Sequence, residues 1–454
     1  MRKKNQDPSK NRKIYLDYAA TTLVDPRVIT AMLPYFSERF GNTMSLHGIG
    51  QEAKQALEES REAIAETMGA KAKEIIFTSS ATESNNLVLK GIAWANKDRG
   101  NHIIISSIEH ACVMESARWL EKQGFEITRM PVDRYGFVSP EKIKRAIKKN
   151  TILVSIIHAS NEIGTIQPIS KIGEICRERR IYFERSEKQG SQRGPYFERS
   201  EKQGSRRGPY FERSEKQGSQ RGPYFERSEK QGSQRGPYFH TDASQSFGKI
   251  PVDVKRMKVD LLTASSHKMY GPKGVGLLFI KEGTRITPLL SGGGQESGIR
   301  SSTVNVAGIV GFAEACRICQ KEMRQEGRRL IGLRDKMIKG ILKIKGSHLN
   351  GHPTKRIPNN INVWFEFVEG ESIVIQLDMF GIAASTGSAC SSIKLEPSHV
   401  LLAIGLKHEQ AHGSLRLTLG RWTTEKEINF VLKVLPRIIE NLRKISPFKK
   451  SFKF

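Results

Sequence analysis

Along this chain, short apolar runs alternate with longer stretches in which apolar residues recur at helical spacing. The runs at 74–78, 102–106, 151–157 and 259–263 predict buried strands, because continuous apolar character means that both faces of a strand are covered. Helical spacing predicts helices over 25–40 and 50–68, from the hydroxyl-rich stretch after residue 78 through Trp94, and from His110 to Gln123. Asp25 ahead of Pro26 reads as an N-cap before a proline start. Strands alternating with helices imply a parallel α/β sheet, whose site gathers where the strands end. Polar clusters do follow successive runs: Ser79 to Asn85, Glu109 and His110, His158 to Glu162, and Asp242 to Gln245. Beyond a long helical region at 306–344, strands at 361–367 and 382–385 and a helix near Glu371 predict a smaller α/β domain. The alternation Ser414-Leu415-Arg416-Leu417 predicts one more strand there.

One segment breaks the pattern. From Glu184 to Phe239 the sequence ERSEKQGSQRGPYF runs four times in tandem, with Arg206 in place of Gln as the one change. Each copy holds a single Tyr-Phe pair, no aliphatic residue, and a Gly-Pro that stops a helix. Such a segment buries too little to offset its ordering entropy, so a disordered insertion over 184–239 is expected. Tyr182-Phe183 precede the insertion and Tyr238-Phe239 end its last copy, ahead of His240-Thr241-Asp242. The final copy thus regenerates a displaced strand start, and the core strand is expected at 238–242.

Composition narrows the class. Hydrophobic residues at 37% and charged ones at 27% suit a soluble globular protein, and no apolar run reaches the roughly 18 residues of a membrane span. The basic amino-terminal stretch has no apolar segment behind it and does not read as a secretory signal. Five cysteines, Cys112, Cys176, Cys316, Cys319 and Cys390, form an odd, scattered set that suits a reducing compartment, read here as cytoplasmic. Cys316 and Cys319 lie within helical periodicity and read as buried core thiols. The net charge of +27 has basic runs at both ends. No nucleic-acid motif or aromatic stripe accompanies it, so solvated faces are the expectation and stable nucleic-acid binding is not.

Several stretches carry candidate chemistry. In SSHKMYGPKGVG (265–276), Lys268 stands just past a buried strand, between small hydroxyl residues and a tight turn. Lysine becomes a nucleophile where desolvation lowers its pKa; a plain surface lysine is the alternative. The strand, hydroxyl run and helix at 74–94 would present free backbone N–H groups to a phosphate, or would simply be N-capped. Cys390 lies in a run of small residues, TGSACSS, accessible as a reactive thiol must be. Arg416 could meet a carboxylate with two parallel hydrogen bonds, or be an ordinary surface arginine.

Together with LDYAATTLVDPRV, FTSSATESNNL, IEHACV, HASNEIG, HTDASQS, GGGQESGIRSST, STGSACSSIKLEPSHVL and SLRLTLGR, these stretches make the chain resemble the class I (NifS/IscS-type) cysteine desulfurases. Those are fold type I pyridoxal-phosphate enzymes. The motifs stand in family order and span nearly everything but the repeats. The resemblance implies a large domain built on a mostly parallel seven-stranded sheet (22–183 and 240–322) and a smaller α/β domain (1–21 and 323–454) carrying the cysteine loop. It implies that Lys268 forms the Schiff base with pyridoxal 5'-phosphate and moves the substrate's α-proton. Asp242 would pair with the pyridinium nitrogen, Gln245 with the ring's phenolic oxygen, and His110 would stack on the ring. Ala81, Thr82, Ser265, Ser266, His267 and Thr303 match cofactor-binding positions, Thr303 reaching in from the second subunit of a homodimer. Asn161 and Arg416 match positions near the substrate carboxylate. Cys390 would take the sulfur of L-cysteine as a persulfide, leaving alanine, and pass it to a scaffold or thiolation protein. No resident metal is implied, though Cys390 could serve as a transient iron–sulfur ligand.

Ser80, Ser266 and Ser302 replace family glycines; Ser80 and Ser266 are expected to crowd the phosphate turn. The short basic end ISPFKKSFKF replaces the family's longer acidic tail, which docks a scaffold. Two alternatives stay open on the residues: another pyridoxal-phosphate lyase, such as a selenocysteine lyase, and a divergent paralogue acting as a binding or scaffold protein.

Overall fold

The computed structural model describes residues 14–191, 236–386 and 396–446, with the backbone alone of 184–191. Its strands in chain order are β1 (Ile14–Tyr15), β2 (Ile75–Thr78), β3 (His102–Ser106), β4 (Glu126–Met130), β5 (Thr151–Ser155) and β6 (Tyr238–Asp242). They continue with β7 (Leu261–Ser265), β8 (Gly276–Ile280), β9 (Ser347–Leu349), β10 (Asn360–Phe365), β11 (Ile382–Ala383) and β12 (Ser414–Thr418). Seven of them form one sheet in the order β2-β8-β7-β6-β5-β3-β4. It is mixed: β8 runs antiparallel to both neighbours and the remaining pairings are parallel.

The unbroken apolar runs follow from this burial. Ile104, Val154, Phe239, Leu262 and Leu277 feed the core on one face. Their neighbours Ile103, Leu153, Tyr238, Leu261 and Leu278 feed the core on the other, as the two-residue period of a strand requires. A further core forms around β10, β11 and β12 with the helices Gly370–Met379 and Glu425–Ile445. The helix Val306–Ile341 joins the two regions, placing Ile309 to Cys319 in the first core and Leu330 to Ile341 in the second.

Several element bounds differ from the sequence expectation. The helix expected over 25–40 splits into Pro26–Met32 and Pro34–Ser37, because Pro34 brings no N–H to continue the first. The strand expected at 259–263 lies at Leu261–Ser265, and that at 151–157 ends at Ser155. β4, with mixed exposure along its length, was not foreseen.

The insertion also begins differently. The helix Ile169–Ser191 runs on through the first eight residues of the first repeat, since Glu, Arg, Lys and Gln are good helix formers and the Gly-Pro stop comes later. Tyr238 and Phe239 are in β6, as expected, so the irregular reading is withdrawn for 184–191 and 238–239. Residues 192–235 lie outside the described residues. Both ends of the insertion meet at Arg180: its guanidinium donates to the Pro237 carbonyl at 2.7 Å and pairs with Asp260, and Gly236 lies against its Cα, where a Cβ would come within 2.6 Å.

Candidate active site

The expected residues converge beyond the ends of β3, β5, β6 and β7. Asp242 ends β6 and is buried. Its Oδ2 accepts from Asn85 Nδ2 at 2.7 Å; its Oδ1 accepts from the Ser244 backbone N–H at 2.9 Å and from Ser244 Oγ at 2.6 Å. Three dipolar donors and no cationic partner hold this carboxylate among the described residues.

Lys268 closes a short 3₁₀ turn, Ser266–Lys268, directly after β7. Its ammonium donates to the carbonyls of Ala19 and Ala20, each at 2.7 Å. Ala19 also accepts from Gln245 Nε2 at 3.0 Å, which ties lysine and glutamine to one backbone group. Lys249, one turn beyond Gln245, donates to its Oε1 at 3.3 Å and to its carbonyl at 3.1 Å. Desolvation pushes the Lys249 ammonium down to about 7, with the Lys268 charge adding to it. This contact leaves the Gln245 amide one orientation, with its NH₂ toward Ala19.

His110 caps the helix Ala111–Lys122, its Nδ1 accepting from the Cys112 N–H at 3.2 Å. Burial lowers its pKa; Asp242 opposes the shift and Lys268 adds to it, so the ring lies within the field of both groups. Cys112 Sγ contacts both His110 Nδ1 at 3.1 Å and Asn85 Nδ2 at 3.2 Å, and desolvation pushes this thiol up to about 12. It is therefore a neutral wall of the site.

Ala81 and Thr82 open the helix Ala81–Ala95, whose first turn points free N–H groups out of the sheet edge. Ser80 does not crowd that turn. It is extended, with φ −170°, and its Oγ accepts the Glu83 N–H at 3.2 Å as an N-cap. Ser265 and Ser266 are buried where β7 meets the lysine turn, and Ser266 Oγ has no hydrogen-bond partner among the described residues. His267 Nδ1 meets Thr21 Oγ1 at 3.1 Å; burial holds its pKa down to about 4.

Arg416 is no surface arginine. It is 3% exposed, pairs with Asp17 at 2.9 Å and donates to the Asn161 carbonyl at 3.2 Å. Arg416 Nε and Asn161 Oδ1 are buried without a hydrogen-bond partner among the described residues. Arg416 also bridges Ser385 backbone to backbone, and Ser398 Oγ donates to the buried Glu162 at 2.5 Å. Ser385 and Ser398 flank the stretch that carries Cys390. Cys390 itself lies outside the described residues. Thr303 is exposed ahead of the helix Val306–Ile341, and no contact joins it to the cluster among the described residues.

Sequence reasoning missed Asn85, Cys112, Asp17 and Lys249. Asn85 was legible in principle: it falls four and seven residues before Leu89 and Ile92, on the buried face of its helix. Asp17 pairs with a residue 399 positions away, which no local pattern signals.

Comparison with known proteins identifies the family. The model of the class-V aminotransferase family matches residues 14–185 and 225–431, breaking off within the repeats. A cysteine desulfurase IscS of Methanosarcina thermophila is 46% identical over 97% of this chain and 95% of its own. One of Dictyoglomus turgidum is 48% identical over 97% and 98%. A solved NifS-like protein superposes with a TM-score of 0.79 at 33% identity, over 95% of this chain and 100% of its own.

Proposed function

The chain belongs to the cysteine desulfurases of the class-V aminotransferase family, and from that premise we propose how its own residues carry the reaction. The family works with pyridoxal 5'-phosphate, and the residues present fit that group. A buried carboxylate with no cationic partner among the described residues suits a pyridinium, and the N-terminus of the helix Ala81–Ala95 suits a phosphate. The Lys268 amine suits the aldehyde. When bound, the group supplies an electron sink for a carbanion at the substrate Cα.

In this reading Asp242 would keep the ring nitrogen protonated, with Asn85 and Ser244 fixing its carboxylate. Gln245, turned by Lys249, would donate to the phenolic oxygen, and His110 would cover the ring. Ala81, Thr82, Ser265, Ser266 and His267 would hold the phosphate, joined by Thr303 of a second subunit. Arg416 and Asn161, each with an unused polar atom, take the carboxylate of L-cysteine. Lys268 Nζ removes the Cα proton. Cys390, as thiolate, attacks the substrate sulfur: the C–S bond breaks, an S–S bond forms on Cys390, and the carbon keeps the electron pair until protonation gives alanine. Closing the site strips water from this exchange.

A single observation carries the reading: the buried Asp242 carboxylate, held among the described residues by dipolar donors, in a cluster where the His110 ring lies in the field of both it and the Lys268 ammonium. A homodimer is part of the proposal, supported by the exposed Leu23, Leu33, Phe36, Phe40 and Leu46 gathered in one stretch of chain. So are a division into two domains near residue 322, a cytoplasmic location, and sulfur delivery to an iron–sulfur scaffold or thiolation protein. No helix among the described residues is long and apolar enough to cross a membrane.

The test is incubation with L-cysteine and a reductant, measuring alanine and sulfide. Wild type should produce both, Cys390→Ala neither, and Lys268→Ala should also lose the visible absorption band. Alanine formation by Cys390→Ala at the wild-type rate would refute the assignment of the nucleophile. Release of selenide from selenocysteine by that variant would favour a selenocysteine lyase.

A further inference from the structure

The connection from β10 to the helix Gly370–Met379 borders a groove of about 520 Å³. That is within the range of pockets that bury a whole ligand. Trp364, Phe367 and Leu442 give it an apolar floor, and Glu366, Glu369 and Glu409 line it with carboxylates. Lys407 and His412 also border it, so acidic groups outnumber basic ones. Phe367 holds a φ of 63°, a left-handed conformation that is strained for a bulky residue. Such strain persists where the surroundings need the ring in place.

The last lining residues are Ile445 and Ser446, the end of the helix Glu425–Ile445 and its cap. Ser446 has left the helix, with φ −67° and ψ 130°, as a residue before proline does. The last described residue, Ser446, therefore borders the groove with an extended backbone. Residues 447–454 read PFKKSFKF. In an extended chain alternate side chains share a face, which puts Phe448, Phe452 and Phe454 together with Lys450 among them, and Lys449 and Lys453 opposite. Eight extended residues span up to roughly 28 Å, ample for a groove that begins at the first of them.

We propose that residues 447–454 fold back as an extended segment into this groove, their phenylalanines against Trp364 and Phe367 and their lysines among Glu366, Glu369 and Glu409. The segment is then an intramolecular clamp. It fastens the helix Glu425–Ile445 to the connection that leads through the helix Gly370–Met379 and β11 toward the Cys390 stretch.

Trp364 reports the test by its fluorescence, with Trp364→Phe proteins giving the background to subtract. The full-length holoenzyme is compared with a chain ending at Ser446 and with a full-length Phe448→Ala/Phe452→Ala double variant. Both changes should red-shift Trp364 emission and raise its quenching by acrylamide. A synthetic PFKKSFKF peptide should reverse the shift in the shortened chain, several-fold more weakly at high salt, and should not bind the full-length protein. Unchanged Trp364 emission in both variants would overturn the proposal. So would peptide binding equally to full-length and shortened chains, which leaves the groove open to a foreign segment. A smaller oligomer on removing the tail, with Trp364 emission then dependent on protein concentration, would place the tail in a second copy and overturn it too.

Discussion

Replacing Glu109 by Gln should make the apoprotein more stable, and increasingly so as pH rises. The Glu109 side chain is fully buried, and its Oε1 accepts two bonds, from Ser106 Oγ at 2.5 Å and from the Ile157 N–H at 2.8 Å. These staple the exits of β3 and β5 together beside the active site. Oε2 has no hydrogen-bond partner among the described residues, and desolvation raises the carboxyl from 4.5 to about 8, with the Asp242 charge adding to it. The folded state thus keeps a proton between pH 4.5 and 8 that the unfolded chain releases, so stability falls as pH rises through that window. At 1.36 kcal/mol per pH unit between 4.5 and about 8, the whole loss is roughly 5 kcal/mol, of which roughly 3 kcal/mol falls between pH 5.5 and 8. Glutamine accepts the same two bonds and does not titrate. Its NH₂ in place of Oε2 adds an offset that does not depend on pH. Denaturant unfolding of both apoproteins at pH 5.5, 7 and 8.5 isolates the effect, because every other titrating group is common to them. The stability gap should widen in favour of Gln by several kcal/mol across the series. A gap that stays constant or narrows would refute the burial argument.

Other outcomes follow from individual contacts. Asn85→Ala removes the charge-assisted donor to Asp242, worth about 1.5–3 kcal/mol, and should weaken cofactor binding on the order of tenfold or more in equilibrium dialysis. Glu296→Ala leaves the Phe77 N–H buried without its partner and takes from Arg61 its buried carboxylate, Glu58 and the Ile75 carbonyl remaining; thermal unfolding should show a loss of about 3 kcal/mol. Lys249→Met frees the Gln245 amide to rotate, and the pH at which the visible band of the holoenzyme changes should move while cysteine KM stays near wild type. Deleting 184–239 lets Tyr182-Phe183 stand in for Tyr238-Phe239 ahead of His240. The product should fold and desulfurate cysteine, and loss of the folded circular dichroism signal would show that the insertion carries core structure.

Much of this was legible because it is local. The strands β2, β3, β7 and β12 announced themselves as apolar or alternating runs and β6 by the duplicated Tyr-Phe pair, and the polar residues at their ends named Lys268, Asp242 and His110. The continuity of those runs already said that helices cover both faces of the sheet. The repeats disclosed their own boundaries, since a duplicated Tyr-Phe pair can serve only one strand. Where local preference met a specific breaker the reading slipped, as at Pro34, and where helix formers continued past an expected boundary it slipped again, as at 184–191.

Tertiary structure decided what distance in sequence conceals. The antiparallel direction of β8 depends on pairing with β2, some 200 residues earlier. The pairing of Arg416 with Asp17, the capture of Lys268 by the Ala19 and Ala20 carbonyls, and the turning of Gln245 by Lys249 all depend on how the packed elements meet. Sequence fixes which side chains are available and how they alternate along each element. Only packing brings distant ones within hydrogen-bond reach and strips the water from them, and that desolvation sets the charge on Glu109, His110 and Lys249.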